Sequence, residues 1–208
     1  MKYKAIIYDI DCTLLNTIDM NMYTLIRIIK EELNEDWTFE EVCRFLPYTG
    51  MKIMEELNIK NKEITYARWV RYVNEYPEGA KLYKGFEKVL PTLNECIDQA
   101  ICSSKMKPQY KIDVLDKGLG KYFKTAVLME DTTKHKPDPE PLLLCLKRLG
   151  IQAKEALYIG DAYYDYLAAY QAGVDFGYAK WGSFSSEGII NPTYVFDEPI
   201  DILRIMEE

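Results

Sequence analysis

The sequence predicts an α/β fold, in which helices cover both faces of a parallel sheet and an all-helical segment is inserted near the start. From about residue 80 onward, short apolar runs of strand length alternate with segments whose apolar residues recur at helical spacing. Strands that are separated by helices pair in parallel, with the helices packed on the sheet faces. Residues 18–80 contain no convincing strand, which indicates a separate helical segment.

The predicted elements of the sheet region follow one another in chain order. The first strand is the apolar run at residues 5–8, and the later strands are residues 99–103, 125–129, 156–161, 174–179 and 193–196. The predicted helices between them are residues 85–97, 110–120, 138–150 and 163–173. Asp138 is the predicted N-cap of the third of these helices, and Gly150 lies just past its end.

The inserted segment has the apolar spacing of amphipathic helices. Its first helix places one set of apolar side chains on a single face, namely Met22, Leu25, Ile26, Ile29 and Leu33. Thr38 and Glu41 have the spacing of a capping box, which predicts the start of a second, short helix. Residues 51–59 and 63–76 also have helical patterns.

Composition limits the possible partners and location of the protein. The chain has 208 residues, 48% of them apolar, which is enough for a folded core, and its net charge is −7. The negative charge argues against nucleic acid as the main partner. We expect no signal peptide and no membrane span, because no apolar run approaches about 18 residues. Five scattered cysteines without a C-x-x-C pair indicate a reduced, cytoplasmic protein.

Polar residues follow three of the predicted strands at the points where those strands end. Right-handed crossovers place the carboxyl ends of parallel strands along one edge of the sheet, where ligands bind. Two carboxylates directly after a buried strand are either solvated in a turn or arranged to bind a cation, because burying unpaired like charges is costly. The polar residues at this edge are Asp9, Asp11 and Thr13 after the first strand, Ser103 and Ser104 after the second, and Asp161 with Asp165 after the fourth.

Four short motifs in this order resemble those of the haloacid dehalogenase-like (HAD) hydrolase superfamily, particularly its phosphoglycolate phosphatase-like subgroup. The family pattern D-x-D-x-T is present as "DIDCT" at 9–13, and "SSK" at 103–105 stands where the family has "TNK". Lys136 lies in "KPDP", and "GDAYYD" covers 160–165. The resemblance implies a Rossmann-like three-layer catalytic core of residues 1–16 and 81–208, with a helical cap domain of residues 17–80.

The resemblance also implies a Mg²⁺-dependent phosphatase with an aspartyl-phosphate intermediate. Asp9 would be the nucleophile, and Asp11 would protonate the leaving oxygen and later deprotonate water. Mg²⁺ prefers oxygen ligands and reduces the repulsion between a carboxylate and a phosphate dianion. Its implied ligands are the side chains of Asp9 and Asp161 and the backbone carbonyl of Asp11.

Further residues of the motifs would bind the phosphoryl group. Ser103 and Lys136 are implied to hold its non-bridging oxygens, and Asp165 would orient Lys136 or a metal-bound water. Thr13 and Ser104 are predicted to bind substrate beside them. The sequence departs from the family where Cys12 replaces a glycine that eases a tight turn and where Ser103 replaces a threonine.

The family's helical insert closes over the active site and selects substrates. By this resemblance the hinges would lie near residues 16–18 and 78–82, and Arg44, Thr49 and Lys52 are candidate contacts to the organic part of the substrate. A cap of this size implies a small phosphorylated metabolite rather than a phosphoprotein.

Several functions remain open at this stage. A phosphosugar mutase similar to β-phosphoglucomutase shares nearly every core residue, and a pyrophosphatase also fits the motifs. A dehalogenase fits poorly because Asp11 and Asp161 are both present. A catalytically silent binding module on the same fold is the alternative from outside enzymology. We expect a monomer or a weak homodimer.

Overall fold

The computed structural model describes residues 2–46 and 48–207, which divide into two compact units. One unit comprises residues 1–16 and 82–208, and the other comprises residues 17–81. The first contains every strand of a six-stranded sheet, and the second is helical apart from Lys81 at its end.

The large unit is a parallel sheet with the order β5-β4-β1-β6-β7-β8. Strand β1 lies in the middle, between β4 and β6, so that Tyr8 stands opposite Ile101 on one side and Ile159 on the other. All four residues of β1 are fully buried, as expected for a central parallel strand. The strands are β1 Ala5–Tyr8, β4 Asp98–Cys102, β5 Thr125–Val127, β6 Ala156–Gly160, β7 Asp175–Ala179 and β8 Tyr194–Phe196.

Helices link the strands of the sheet in the predicted alternation, which confirms the fold class. These helices are α5 Phe86–Asn94, α6 Lys107–Tyr110, α7 Glu140–Leu149 and α8 Tyr163–Ala172. A π-helical turn, Lys111–Leu115, follows α6 directly, and 3₁₀ turns cover Leu119–Tyr122, Met129–Asp131, Ala153–Glu155 and Pro199–Glu207. A two-stranded sheet joins β2, Leu15–Asn16, to β3, Lys81–Leu82.

One predicted helix cap is wrong by one residue. Helix α7 begins at Glu140 with Pro139 as its N-cap, so Asp138 is not the cap residue. The Asp138 side chain nevertheless accepts a hydrogen bond from the Glu140 backbone N–H at 3.0 Å, which satisfies one of the free donors at the helix start. Gly150 ends α7 in the left-handed conformation, as predicted.

The helical unit consists of α1 Ile18–Leu33, α2 Phe39–Cys43, α3 Gly50–Glu56 and α4 Lys62–Asn74. The capping box of Thr38 and Glu41 is present at the start of α2, as predicted. Trp69 of α4 is buried and its indole N–H donates to the Thr24 hydroxyl of α1 at 3.0 Å. No helix among the described residues combines the length and the apolar character that crossing a bilayer requires.

Candidate active site

Three carboxylates meet where the two central strands β1 and β6 end. Asp9 follows β1, Asp161 follows β6, and Asp165 lies in the first turn of α8. One oxygen from each side chain lies within 4.8 Å of the others. We call these three residues the acid cluster. The adjacency of β1 and β6 brings them together, because residues that follow neighbouring parallel strands share one sheet edge.

Lys136 supplies a positive charge to the acid cluster. Its Nζ lies 3.1 Å from Asp9 Oδ1 and donates to Asp165 Oδ1 at 2.5 Å and to the Tyr158 hydroxyl at 3.0 Å. The lysine side chain is only 8% exposed. Burial lowers the pKa of Lys136, but the carboxylates of Asp165 and Asp9 outweigh burial and raise the pKa above its ordinary value. The lysine is therefore a permanent cation at this site.

One lysine does not balance the three acids of the cluster, of which Asp9 and Asp165 are buried and Asp161 is partly exposed. Burial raises the pKa of Asp9 to about 6, and Asp165 and Asp11 add to the effect, while Lys136 and the Ser103 hydroxyl oppose it. Burial and the charges of Asp165 and Asp9 likewise raise the pKa of Asp161 well above its ordinary range. Asp9 Oδ1 is also buried without a hydrogen bond. With all groups ionised, the cluster carries two negative charges in excess.

This arrangement fits a divalent cation. The donors are carboxylate oxygens, which Mg²⁺ prefers, and the excess charge of the cluster equals that of the ion in magnitude. Asp9 and Asp161 are the members available to it, since Asp165 is bound to Lys136 through Oδ1 and accepts a hydrogen bond from the Ala162 N–H through Oδ2 at 3.1 Å. Mg²⁺ itself stays a prediction for this chain.

The side chain of Thr13 contacts the acid cluster. Its side chain is fully buried, and its hydroxyl donates to Asp161 Oδ1 at 2.8 Å. In this structure the hydroxyl of Thr13 is thus occupied by an acid of the cluster, and its contact with substrate stays a prediction. Trp181 holds the Thr13 backbone in turn, since its indole N–H donates to the Thr13 carbonyl at 2.9 Å.

The side chain of Asp11 points to different partners from those of the acid cluster. Lys105 Nζ donates to Asp11 Oδ1 at 2.7 Å and lies 2.9 Å from Asp113 Oδ2. Lys105 and Tyr158 are both missing from the sequence-based set of site residues. The available signal for Lys105 was its place as the last residue of "SSK". Nothing in the sequence indicated Tyr158, whose hydroxyl donates to Asp165 Oδ1 at 2.8 Å.

The two serines after β4 differ in exposure. Ser103 is buried, accepts a hydrogen bond from the Lys105 N–H at 3.3 Å and contacts the Asp9 carboxylate, whose pKa it lowers against the effect of burial. Ser104 is exposed. The structure thus brings Ser103 to the acid cluster and leaves Ser104 beside it.

Cys12 occupies the turn where the family pattern has glycine. Its φ is +60°, in the left-handed region where glycine is favoured and other residues are strained. The backbone of Gly182 packs against this turn so closely that a Cβ there would lie 1.6 Å from the Cys12 carbonyl oxygen. Any side chain at residue 182 would displace the loop that carries Asp9 and Asp11.

The three candidate residues of the helical unit each have a partner within that unit. The Arg44 guanidinium stacks over the rings of Trp37 and Phe45, at 4.5 and 4.9 Å from their centroids. The Thr49 hydroxyl accepts the Lys52 N–H at the start of α3, at 3.4 Å. Lys52 also forms an ion pair with Glu56 at 2.9 Å. Their contact with substrate stays a prediction.

Comparison with known proteins decides the family. The family model of haloacid dehalogenase-like hydrolases matches residues 6–179, which include the whole acid cluster, Asp11 and both lysines. The chain belongs to this family. This confirms the two predictions that the protein is an enzyme and that it is a HAD-like hydrolase.

The HAD-like chain is also similar over its full length to individual proteins. It is 31% identical to PpaX of Caldanaerobacter subterraneus subsp. tengcongensis and 30% identical to PpaX of Clostridium perfringens, both pyrophosphatases by name. These matches cover 100% and 99% of this chain, and 96% and 98% of the relatives. A Lactobacillus plantarum structure named as a phosphoglycolate phosphatase superposes with a TM-score of 0.90 at 25% identity, over 99% of this chain and 100% of the other. These names agree with the predicted phosphatase class.

Proposed function

We propose that this HAD-like hydrolase is a Mg²⁺-dependent phosphatase of small phosphorylated metabolites that works through an aspartyl-phosphate on Asp9. The acid cluster and its buried lysine carry the proposal. A nucleophilic carboxylate, Asp9, lies 3.1 Å from a permanent cation, Lys136, at the carboxyl end of the central strand. A phosphoryl group bound at this position would lie beside both the nucleophile Asp9 and the ammonium of Lys136, whose positive charge offsets part of the negative charge of the phosphoryl oxygens.

The proposed first step joins Asp9 to phosphorus. A carboxylate oxygen of Asp9 forms the new P–O bond while the bond to the leaving oxygen breaks, and Asp11 gives its proton to that oxygen. Lys136 and the Ser103 hydroxyl bind the non-bridging oxygens, on which charge is concentrated. Asp165 and Tyr158 hold the Lys136 ammonium in place for this contact, through bonds of 2.5 and 3.0 Å.

The second step releases phosphate. Asp11 takes a proton from water as the water oxygen bonds to phosphorus and the bond to Asp9 breaks. Asp9 and Asp161, with the backbone carbonyl of Asp11, would hold Mg²⁺, and Thr13 would fix the Asp161 carboxylate through its 2.8 Å hydrogen bond. The ion, when bound, neutralises the acid cluster and polarises the phosphoryl oxygens.

The substrate class in this proposal is a small, soluble phosphorylated metabolite. The helical unit would act as the cap domain of this family, and a cap that closes over the active site would exclude a substrate as large as a phosphoprotein. Pyrophosphate is the second candidate, supported by the names of the two relatives that are 30% and 31% identical. Pyrophosphate and phosphoglycolate therefore head the substrates to compare. A mutase activity would differ in returning the phosphoryl group to the sugar instead of to water.

The cytoplasm is the proposed location. None of the five cysteines, all of which lie among the described residues, forms a disulfide, which suits a reducing compartment. Nucleic acid and membrane are not expected partners, and the oligomeric state stays a prediction of monomer or weak homodimer.

The test is hydrolysis of pyrophosphate, phosphoglycolate, sugar phosphates and nitrophenyl phosphate, each with Mg²⁺ and with EDTA. Asp9→Asn should abolish turnover of all of them, since an amide forms no acyl phosphate. Beryllofluoride with Mg²⁺ should inhibit the wild type. Asp197→Asn is the matched control, because Asp197 also follows a strand of this sheet but is exposed and paired with Lys180. Wild-type turnover in Asp9→Asn, or full activity in metal-free buffer, would contradict the proposal.

A further inference from the structure

A second buried ionic group lies beside the acid cluster and is not explained by metal or phosphate binding. Its members are Lys105, Asp113 and Asp11. The Lys105 side chain is 7% exposed and that of Asp113 is 2% exposed, whereas Asp11 is 38% exposed. The nearly buried charges of Lys105 and Asp113 are thus linked to the carboxylate of Asp11, which is partly exposed to solvent.

Lys105 has a second carboxylate partner besides Asp11, namely Asp113. Lys105 Nζ lies 2.9 Å from Asp113 Oδ2, and Gln109 Nε2 donates to the same oxygen at 3.1 Å. Asp113 belongs to the π-helical turn Lys111–Leu115, which follows α6. The backbone of Lys105 is fixed as well, since its carbonyl accepts the Met129 N–H at 3.1 Å. The ammonium therefore has an anchor in addition to Asp11.

The third contact of Lys105 determines where the Asp11 carboxyl group lies. Lys105 Nζ donates to Asp11 Oδ1 at 2.7 Å. Among the described residues, the carboxylates that cluster closely enough to share a cation are those of Asp9, Asp161 and Asp165, and Asp11 is not a member. Its side chain is bound by a lysine instead.

We propose that Lys105, anchored by Asp113, is a positioning residue that holds the Asp11 carboxyl group for proton transfer. The inference rests on the proposed function of Asp11. A group that first gives and then takes a proton must keep its place in both protonation states. With Oδ1 bound to Lys105, the proton leaves from and returns to Oδ2, and Oδ1 accepts the lysine hydrogen bond in both states.

Asp113 anchors the lysine in this arrangement. Its carboxylate lies 2.9 Å from Lys105 Nζ and is itself only 2% exposed, so Lys105 has a buried partner besides Asp11. Removal of that partner would leave a buried ammonium with only the partly exposed Asp11 as its counter-charge, which is unfavourable.

The test compares two substrates in the Lys105→Met variant. Positioning matters most for an alkyl phosphate, whose leaving oxygen needs the proton, and least for nitrophenyl phosphate. A carboxyl group displaced by about 1 Å loses on the order of 10²-fold in rate. We expect a kcat loss of about that size with phosphoglycolate and a clearly smaller loss with nitrophenyl phosphate. In an Asp11→Asn background, Lys105→Met should cause no further loss with either substrate.

Two further variants guard against a folding defect. Lys105→Met leaves Asp113 buried and unpaired, so Lys105→Met/Asp113→Asn removes both charges and should show the same split between substrates. The matched control is Lys111→Met/Asp116→Asn, which removes a lysine–aspartate pair at 2.7 Å from the same segment, but one that is exposed. The control should leave both activities at the wild-type level.

The outcomes separate this inference from the proposed function. Equal losses with both substrates, or a loss that adds to that of Asp11→Asn, would show that Lys105 supports the fold and does not act through Asp11. Both results would overturn the inference while Asp9→Asn stayed inactive. Full turnover in Asp9→Asn would instead overturn the proposed function, and the inference with it.

Discussion

The charge of the acid cluster leads to a prediction about the stability of the protein, which can be tested without a substrate. In the metal-free protein the pKa of Asp9 is about 6, against an ordinary value of 3.8, because the side chain is buried. The folded state therefore holds the Asp9 proton more tightly than the unfolded state does. The stabilisation from this proton is complete below pH 3.8 and is lost as the pH rises through about 6.

The size of the effect follows from the shift. A pKa difference of about 2 units corresponds to about 3 kcal/mol of unfolding free energy once Asp9 is fully ionised. For a chain of this length that is roughly 6–12 °C in melting temperature. Asp9→Asn removes the titrating group but keeps the shape of the side chain. In EDTA at about pH 8 the variant should be more stable than the wild type by up to about 3 kcal/mol.

The assay is urea unfolding of wild type and Asp9→Asn in EDTA across this pH range. The two proteins should converge toward about pH 4 and separate as the pH rises, with the variant the more stable. Comparing the pair cancels groups that do not interact with Asp9, whereas Asp161, whose pKa the Asp9 charge raises, shifts the difference in the same direction. Mg²⁺ should then stabilise the wild type much more than the variant, since the ion replaces the missing positive charge. The argument that the excess negative charge of the acid cluster favours cation binding would be refuted by either of two results. One is a difference in unfolding free energy between the two proteins that stays constant with pH, and the other is a wild type that is the more stable at neutral pH.

Four further variants test the predicted roles of other residues. Asp11→Asn should slow phosphorylation far more with phosphoglycolate than with nitrophenyl phosphate, by about 10²–10⁴-fold, and stopped-flow assays should show a nitrophenol burst followed by slow turnover. Thr13→Val should raise the Mg²⁺ concentration needed for half-maximal activity, because Asp161 loses its 2.8 Å hydrogen bond; an unchanged Mg²⁺ titration would contradict this role. Replacing Arg44 or Lys52 by Ala should change the ranking of metabolite substrates while nitrophenyl phosphate hydrolysis stays nearly constant, and equal losses would indicate a role in folding instead.

The sequence was sufficient to predict which site residues lie at the carboxyl ends of the strands. Asp9 and Asp161 could be paired before the structure because both follow buried apolar runs, and the crossover rule places such ends at one edge. Lys136 could be added only through the family motif, since its distance along the chain from Asp9 carries no information on contact. The fold class was predictable for the same reason as the strand ends, namely the regular alternation of apolar runs and helical patterns.

Two features of the site could not be predicted from the sequence, in each case because of the local backbone conformation. Thr13 lies in a tight turn where the Ile10 carbonyl accepts hydrogen bonds from the N–H groups of Thr13, Leu14 and Leu15. The periodicity rules for strands and helices do not apply in such a turn, so the buried orientation of the Thr13 hydroxyl could not be predicted. Asp113 lay within a predicted helix, but the segment forms a π-helical turn, whose wider spacing changes the direction of successive side chains. Its pairing with Lys105 was hidden for that reason.

The two buried lysines divide the carboxylates of the site by function. Lys136 contacts Asp9 and Asp165 and leaves the acid cluster short of positive charge, which is the condition for binding a cation. Lys105 contacts Asp113 at 2.9 Å and Asp11 at 2.7 Å, so it joins Asp11 to a buried anchor and fixes the place of the Asp11 carboxyl group. Asp9 and Asp11 are two residues apart in the chain, yet their surroundings differ. Burial raises the pKa of Asp9 to about 6 and favours its protonated form, so a bound divalent cation would be what keeps Asp9 ionised for attack on phosphorus. The Asp11 carboxyl group instead has a lysine partner at 2.7 Å, which holds it in place without an ion.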